Sequence, residues 1–557
     1  MASFVRITVL MWADILAAYA MWVMMTYLTN VWKLNLTHAA AIINIWGGLA
    51  SIMPIGFAFV VDTFMGHYAM LLVSSIAYSI GLGFLAMSTP PVLSKSTGNC
   101  SAYQPECIGD AQKILYYTAL ALIAVGISGH AVSLTSFFNK QTTDQTEDDE
   151  WKLPFQCVGI FTVLLVPIIG GIALPYIKPW SIRFGIPAIC TVVATLLFLS
   201  GSWSYKHDKP QGSPLTTVFR VFVASASKIS HQCPQNASEL YEKCNLKQPA
   251  VPRSGGLRCL NKAAIVLPTP TKEEQEKNRW RLCGVTEVEE TKIGIRMVPM
   301  CMTFIIFGVV ISIGKTYFIE QANHMNRKVG HLTVPLPLFL MFYDFAKAQF
   351  TIIYFSMVYC FGGSGSKRYG PPTGIAVAMV FSVLCCITAA KVETRRHNVI
   401  RSHGLLDKPD EKIPMSIFWL LPQFLLLGAV DGISESSIAK FFKDQAPPSM
   451  TTYLTFFTHV LFGLGIMASV LFAYIVGEVS EKRGKQNWFQ ETLNKSHLDK
   501  YYWTLAVLSS VILVLYILVA LCYPYRESAP EDEEVPPNGD SAQQPYEDNP
   551  QCCCCCG

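Results

Sequence analysis

Twelve long apolar segments, six on either side of a hydrophilic stretch at 204–291, run through this 557-residue chain. A hydrocarbon core about 30 Å thick takes roughly 20 consecutive apolar residues in a helix. The segments at 6–29, 38–61, 68–87, 111–138, 153–177 and 182–203 meet that length, as do 293–320, 335–361, 371–390, 415–439, 452–476 and 501–521. Unpaired backbone groups in lipid cost several kcal/mol each, which leaves helices or closed barrels. Barrel strands of about 10 alternating residues are much shorter than these runs. The expectation is an all-α, multi-pass membrane protein. Its composition, 51% hydrophobic and 15% charged with mean hydropathy +0.35, argues against a soluble domain.

The first run starts almost at Met1 without a small-residue cleavage site after it, so it reads as a retained helix and not a signal peptide. We expect both termini and the central stretch in the cytosol, although the short outer connections then carry more Lys and Arg than the inner ones, against the positive-inside rule. Cys100 and Cys107 flank one outer connection and suit an oxidising lumen. Sequons begin at Asn35, Asn99 and Asn494 on that same side, with a fourth at Asn236 in the central stretch. The domains expected are a six-helix bundle at 1–203, a cytosolic loop at 204–291, a second bundle at 292–525 and an acidic disordered tail at 526–557.

Two six-helix halves around a midplane site are the plan of the major facilitator superfamily, and motifs sharpen that analogy. Asp62-Thr63-Phe64-Met65-Gly66-His67 resembles the superfamily's D-x-x-x-G-R loop, with His67 in place of an Arg that would latch neighbouring helices more firmly. Phe184-Gly185-Ile186-Pro187-Ala188, Ser200-Gly201-Ser202 and 209–216 (KPQGSPLT) resemble the end of helix 6 in plant nitrate and peptide transporters of the proton-dependent oligopeptide group. Val288-Glu289-Glu290-Thr291-Lys292 resembles the start of their helix 7. Asn44-Ile45-Trp46-Gly47-Gly48 with Pro54 is similar to their helix 2, and Phe441-Phe442-Lys443-Asp444-Gln445-Ala446-Pro447 to the end of their helix 10. The resemblance covers about 11–525. It implies a secondary transporter of a small polar solute, such as nitrate, a short peptide or a related metabolite, working by alternating access and commonly with proton symport.

This chain departs from the family where protons are handled. The helix 1 ExxER or ExxEK positions fall on Leu10, Ala13 and Asp14, and the helix 4 Lys position on Ala131. A proton-coupled carrier needs a group whose protonation biases its two states, so proton coupling is doubtful or moved. The charges left in the apolar segments are the candidate site: Asp431, matching the acidic residue of family helix 10, with Lys315, Asp14 and His130. A Lys315–Asp431 pair would satisfy both charges. Asp14 has no evident structural reason to stand in an apolar helix. His130 offers an imidazole near neutral pH, although a lone His in a helix more often packs. Asp344 and Lys347, at i,i+3, read as a structural pair. Among the aromatic residues, Tyr19, Trp22, Trp46 and Tyr317 are candidates for a cavity wall, most such rings being packing or interfacial anchors.

No P-loop, HExxH or spaced zinc-ligand array stands in the chain, so neither enzyme activity, cofactor nor metal is expected. The partners expected are a small-molecule substrate, protons and the lipid bilayer, with no nucleic acid. The central loop reads as a solvated linker tying the halves together, with an amphipathic segment near 218–229 and room for a regulatory kinase site. Reversible S-palmitoylation is the reading of the terminal run Cys552, Cys553, Cys554, Cys555 and Cys556. The plasma membrane is the expected address, with the vacuolar membrane as the alternative. The missing charges also admit uncoupled uniport, or a solute sensor of the same fold that does not transport.

Overall fold

A computed structural model describes residues 2–90, 108–142, 170, 173–177, 179–207, 212–231, 240–241, 257–268, 271–278, 280–361, 364–447, 450–482, 486–490 and 492–525. Most of the fifth apolar segment, Cys100, Cys107, Asn99, Asn236 and the cysteine tail lie outside the described residues. The first half contains α1 (Ala2–Trp22), α2 (Met24–Asn30), α3 (Leu36–Val60), α4 (Gly66–Met87), α5 (Asp110–Thr142) and α6 (Trp180–Ser200). After α7 (Pro214–Ser227) come α8 (Val285–Lys315), α9 (Tyr317–His324), α10 (Pro337–Phe361), α11 (Ser364–Ser402), α12 (Leu421–Gln445), α13 (Thr451–Glu481) and α14 (Leu498–Cys522). Eleven of the twelve expected crossings are therefore present among the described residues. The described residues are overwhelmingly helical, in lengths suited to crossing a membrane, as expected.

Some crossings need a local explanation. The helical run Leu36–Met87 is 52 residues long, far beyond one crossing at about 1.5 Å per residue. It makes two crossings, because the chain reverses at Gly66, whose φ of 73 is costly for any residue with a side chain. The glycine of the Asp62–His67 motif is thus the turn itself. The first crossing of each half is broken: α1 gives way to α2 at Val23, and α8 to α9 at Thr316 (φ −119, ψ −85). Interrupted helices at matching positions of two halves are where transporter folds place solute, since the break frees backbone groups and admits polar side chains.

In the first half α4 packs on α5 and α6, and α1 on α6; in the second α12 packs on α10 and α11, α11 on α14 and α8 on α13. The halves meet along α3 and α13, where Asn44 Nδ2 donates to Ser469 Oγ at 3.1 Å. The outer surface is apolar as well: α14 leaves Val507, Val511, Val514 and Leu518 exposed along one face, as expected where lipid is the solvent. Beyond α9 two small pairings, β1 (Met325–Asn326) with β4 (Ile413–Ser416) in parallel and β2 (Lys328–Val329) with β3 (Leu332–Thr333) antiparallel, order the loops on the face opposite α7.

The central stretch differs from the linker expected of it. Ser213 caps α7, accepting from Leu215 N at 3.2 Å with Pro214 at the first helical position. Val221 and Ala224 of α7 pack with Leu260, Ala263, Ala264, Cys283, Val285 and Val288 into a small core of their own. Lys228 is buried beside it and donates to Ala263 O at 3.2 Å and Ile265 O at 2.6 Å. Burial pushes its ammonium down to about 8. The mean polarity of the stretch concealed these spaced apolar residues. Asn494 is also unlike its sequence reading: it is buried, donates to Leu405 O at 3.0 Å and accepts from Arg396 at 3.4 Å, leaving no room for a glycan. Asn35 is exposed and caps α3, accepting from His38 N at 3.0 Å.

Candidate solute-binding and coupling site

Two of the four charged candidates come together in the first half. Asp14 on α1 meets His130 on α5, with His130 Nδ1 2.8 Å from either carboxylate oxygen. On the other side of the ring, Nε2 lies 2.8 Å from Ser75 Oγ of α4, and the Tyr78 ring packs edge-on at 5.7 Å. Gly129 of α5 lies close against Ser74, which seats the next residue, His130, over Ser75. Ser75 Oγ also lies 2.7 Å from Leu71 O. A serine has one hydroxyl proton to give, so two arrangements fit these distances: with it on Leu71 O, Ser75 accepts from Nε2–H; with it turned toward Nε2, that nitrogen accepts and Leu71 O is released. In both, Nδ1–H donates to the Asp14 carboxylate. The pair opens onto a cavity of 370 Å³ lined by Asp14, Ala18, Tyr78, Ile127, Ala131 and Thr135 among others.

The second half holds a charged cluster of its own. Asp431 on α12 accepts from Tyr343 OH of α10 in a short hydrogen bond, and its Oδ2 lies 3.0 Å from Lys347 Nζ. Lys347 also reaches Glu435 Oε2 at 2.7 Å. Two expectations are corrected here. Lys315 is not the partner of Asp431, and Lys347 does not pair with Asp344 one turn away on its own helix. The cause is the close approach of α10 and α12: a Cβ at Gly428 would collide with the carbonyl of Tyr343, and one at Gly432 with that of Lys347. This contact brings Lys347 level with both carboxylates of α12. A cation near two acids is better satisfied than one serving a single flexible neighbour.

Lys315 and Asp344 are left over. Lys315 ends α8 at the break, within electrostatic range of Asp431, Asp344 and Lys347. Both Lys315 and Asp344 are exposed, and among the described residues neither has a partner at ion-pair distance. Tyr19 of α1 lies within range of Asp344, and the Trp22 ring lies 6.4 Å from that of Tyr343, so this cluster sits beside α1 of the first half. Trp46 and Tyr317 serve packing: Trp46 Nε1 donates to Leu120 O at 2.8 Å, and Tyr317 packs edge-on against Tyr501 at 5.5 Å. Glu435, Tyr343 and Ser75 were missed by the sequence reading. Glu435 was legible as the residue four beyond Asp431 on one helical face; the other two have no signal in sequence.

On the face opposite α7 the two halves touch through α2 and α9. Thr29 Oγ1 of α2 donates to Glu320 Oε2 of α9 at 3.0 Å, and Asn323 Nδ2 donates to Asn30 Oδ1 at 3.2 Å. Glu320 also meets His324 Nε2 at 2.9 Å. On the α7 face Tyr453 of α13 donates to Asp62 Oδ2 at 2.6 Å and accepts from Ser213 at 2.7 Å, while Asp62 O accepts from Gly212 N at 2.9 Å. The motif carboxylate therefore joins the first half to the second and to the central segment.

Two helical halves enclosing charged walls, with broken first helices in each, define a solute transporter of the major facilitator type. Comparison with known proteins agrees. A family model described as POT family matches residues 68–489, and the chain belongs to that family. It is 43% identical over 520 residues to Protein NRT1/PTR FAMILY 5.5 of Arabidopsis thaliana, an alignment covering 93% of this chain and 96% of that one. Identity to NRT1/PTR FAMILY 8.1 of the same plant is 30% over 512 residues, 89% of each chain. Among solved structures, an auto-inhibited POT family peptide transporter superposes with TM-score 0.64 at 15% identity, over 95% of this chain and 98% of the other. The POT family transporter PepTSo gives 0.61 at 15% identity, over 94% and 98%. These distant structures bear on the fold alone.

Proposed function

We propose that this transporter moves a small dipolar solute, such as a short peptide, by alternating access, with Asp14 and His130 as its proton-responsive pair. The observation that carries the reading is that Lys315 and Asp344, exposed and within electrostatic range of each other, have no ion-pair partner among the described residues. A solute with separate ammonium and carboxylate groups satisfies both. A lone anion such as nitrate satisfies only Lys315, and it meets a wall where Lys315 and Lys347 stand against Asp344, Asp431 and Glu435. Desolvating a charge without a partner is costly, so such a wall selects by charge pattern. Asp14 and His130 occupy the two helices whose family charges are absent, which supports placing proton coupling there. The contacts between α2 and α9 act as the gate shut on one face, and loading of the cavity opens it.

Uptake of a labelled dipeptide and of labelled nitrate into cells expressing the protein, at about pH 5.5 and about pH 7.5 on either side of the ordinary imidazole range, tests this. Dipeptide uptake is expected, greater at the lower pH. Lys315→Ala or Asp344→Asn should each lower it about tenfold, the equivalent of ~1.4 kcal/mol, with the protein still reaching the membrane. Nitrate uptake without dipeptide uptake would overturn the dipolar reading, and binding without flux would overturn transport.

A further inference from the structure

A second cavity, of 320 Å³, lies away from the charged walls, roofed by α7. Its walls come from α8 (Gly294, Val298), α13 (Leu454, Phe457) and α3 (Ile55), and Val218 and Phe222 of α7 close it. Almost every atom it presents is carbon: Thr291 and Tyr453 carry the hydroxyls of a lining otherwise built from aliphatic, aromatic and sulfur-bearing side chains. A water-filled cavity needs several polar partners for each water, and this lining does not provide them. The size is at the lower end of ligand pockets, which run from roughly 300 to 1,000 Å³.

The rim identifies the surroundings. Phe222 lines the cavity yet is 44% exposed, and Val298 lines it yet is 46% exposed, with Met302 one turn further along α8 at 60%. Phe219, Val223 and Ile229 extend the same exposed apolar surface along the roof. In a protein whose other exposed apolar faces are solvated by lipid, a carbon-lined slot continuous with such a face has one abundant molecule at its mouth. An amphipathic helix capped at the ends of membrane spans lies with its apolar side in the bilayer interface, and α7 is so placed because Ser213 ties it to Tyr453 and Asp62.

We infer that this slot is a phospholipid site, taking one acyl chain between α7, α8 and α13. The chain would pack beside the ring of Tyr453, whose hydroxyl joins the Asp62 turn to the cap of α7. Lipid occupancy therefore props the contact between the halves on this face, independently of what the central cavity carries.

Photo-crosslinking on the full chain in phosphatidylcholine and phosphatidylglycerol nanodiscs tests the site. With p-benzoylphenylalanine in place of Phe222, mass spectrometry should find a phospholipid adduct on the peptide bearing that position. Gly294→Phe fills the slot: a Cβ at Gly294 meets nothing within 4 Å, so this variant is expected to fold. It should reduce the adduct about tenfold, ~1.4 kcal/mol in occupancy. An adduct unchanged by Gly294→Phe would mean lipid touches only the outside of α7 and would overturn the proposal. So would crosslinking confined to peptides of the chain itself, or no adduct at all.

Discussion

Ser75 has no charge and no motif, yet its single hydroxyl proton decides what His130 can be. While that proton is given to Leu71 O, Ser75 Oγ is an acceptor for Nε2–H, as the Asp14 carboxylate is for Nδ1–H. Ser75→Ala leaves Nε2 without that partner. A hydrogen bond contributes a net of about 0.5–1.5 kcal/mol, and ~1.4 kcal/mol is tenfold in an equilibrium. Uptake should accordingly fall by up to about tenfold in Ser75→Ala, with the protein still reaching the membrane. Asp14→Asn should lower it further, because a charged acceptor is lost. Initial uptake rates of the variants, set against their amounts in the membrane, distinguish these outcomes, and undiminished uptake in Ser75→Ala would exclude a role for the hydroxyl.

Among the elements, α11 is held by a network that touches no solute. Glu393 and Arg396 are both fully buried, with Arg396 Nε and NH2 donating to the two carboxylate oxygens at 2.7 and 2.6 Å. Gln321 of α9 donates to Glu393 at 2.6 Å, and Gln423 of α12 donates to Gln321 at 3.3 Å. Arg396 further donates to Leu493 O at 3.0 Å in the loop before α14. The network fastens the short helix α9 to the core of its own half. Breaking a buried pair by removing one partner costs roughly 3–5 kcal/mol, whereas replacing both by apolar residues often costs little. Arg396→Met should therefore sharply lower the thermal midpoint in detergent, and Glu393→Met with Arg396→Met should recover much of the loss. A double variant less stable than the single one would mean the network acts through more than its charge pair.

For the whole molecule, the consequence lies in what must separate. If Thr29 and Glu320 mark a gate between halves, then Thr29→Cys with Glu320→Cys, bridged by a short thiol-cleavable bis-methanethiosulfonate, should stop uptake, and reductant should restore it. Either single variant under the same reagent should keep most of its activity, which controls for native cysteines such as the exposed Cys259 and Cys522. Full transport in the bridged double variant would show that the α2–α9 contact need not open. The contact on the other face, through Asp62, Tyr453 and Ser213, involves α7 and is the natural counterpart to test once the first is placed.

Much of this protein was determined along the chain itself. Segment length against membrane thickness gave the crossings, because backbone hydrogen bonding in lipid permits few alternatives, and ordered motifs such as 209–216 and 441–447 gave the family. Asp14, His130, Lys315 and Asp431 stood out for a related reason: a charge in an apolar helix is too costly to be incidental. What sequence did not determine is who partners whom. His130 meets Asp14 across 116 positions, and Lys347 leaves the acid one turn away for two on another helix because Gly428 and Gly432 let that helix approach. Charge pairing depends on ångström distances between helices that are remote in sequence, and those distances are set by packing. The tertiary structure alone therefore decided that, among the described residues, Lys315 and Asp344 stand without an ion-pair partner.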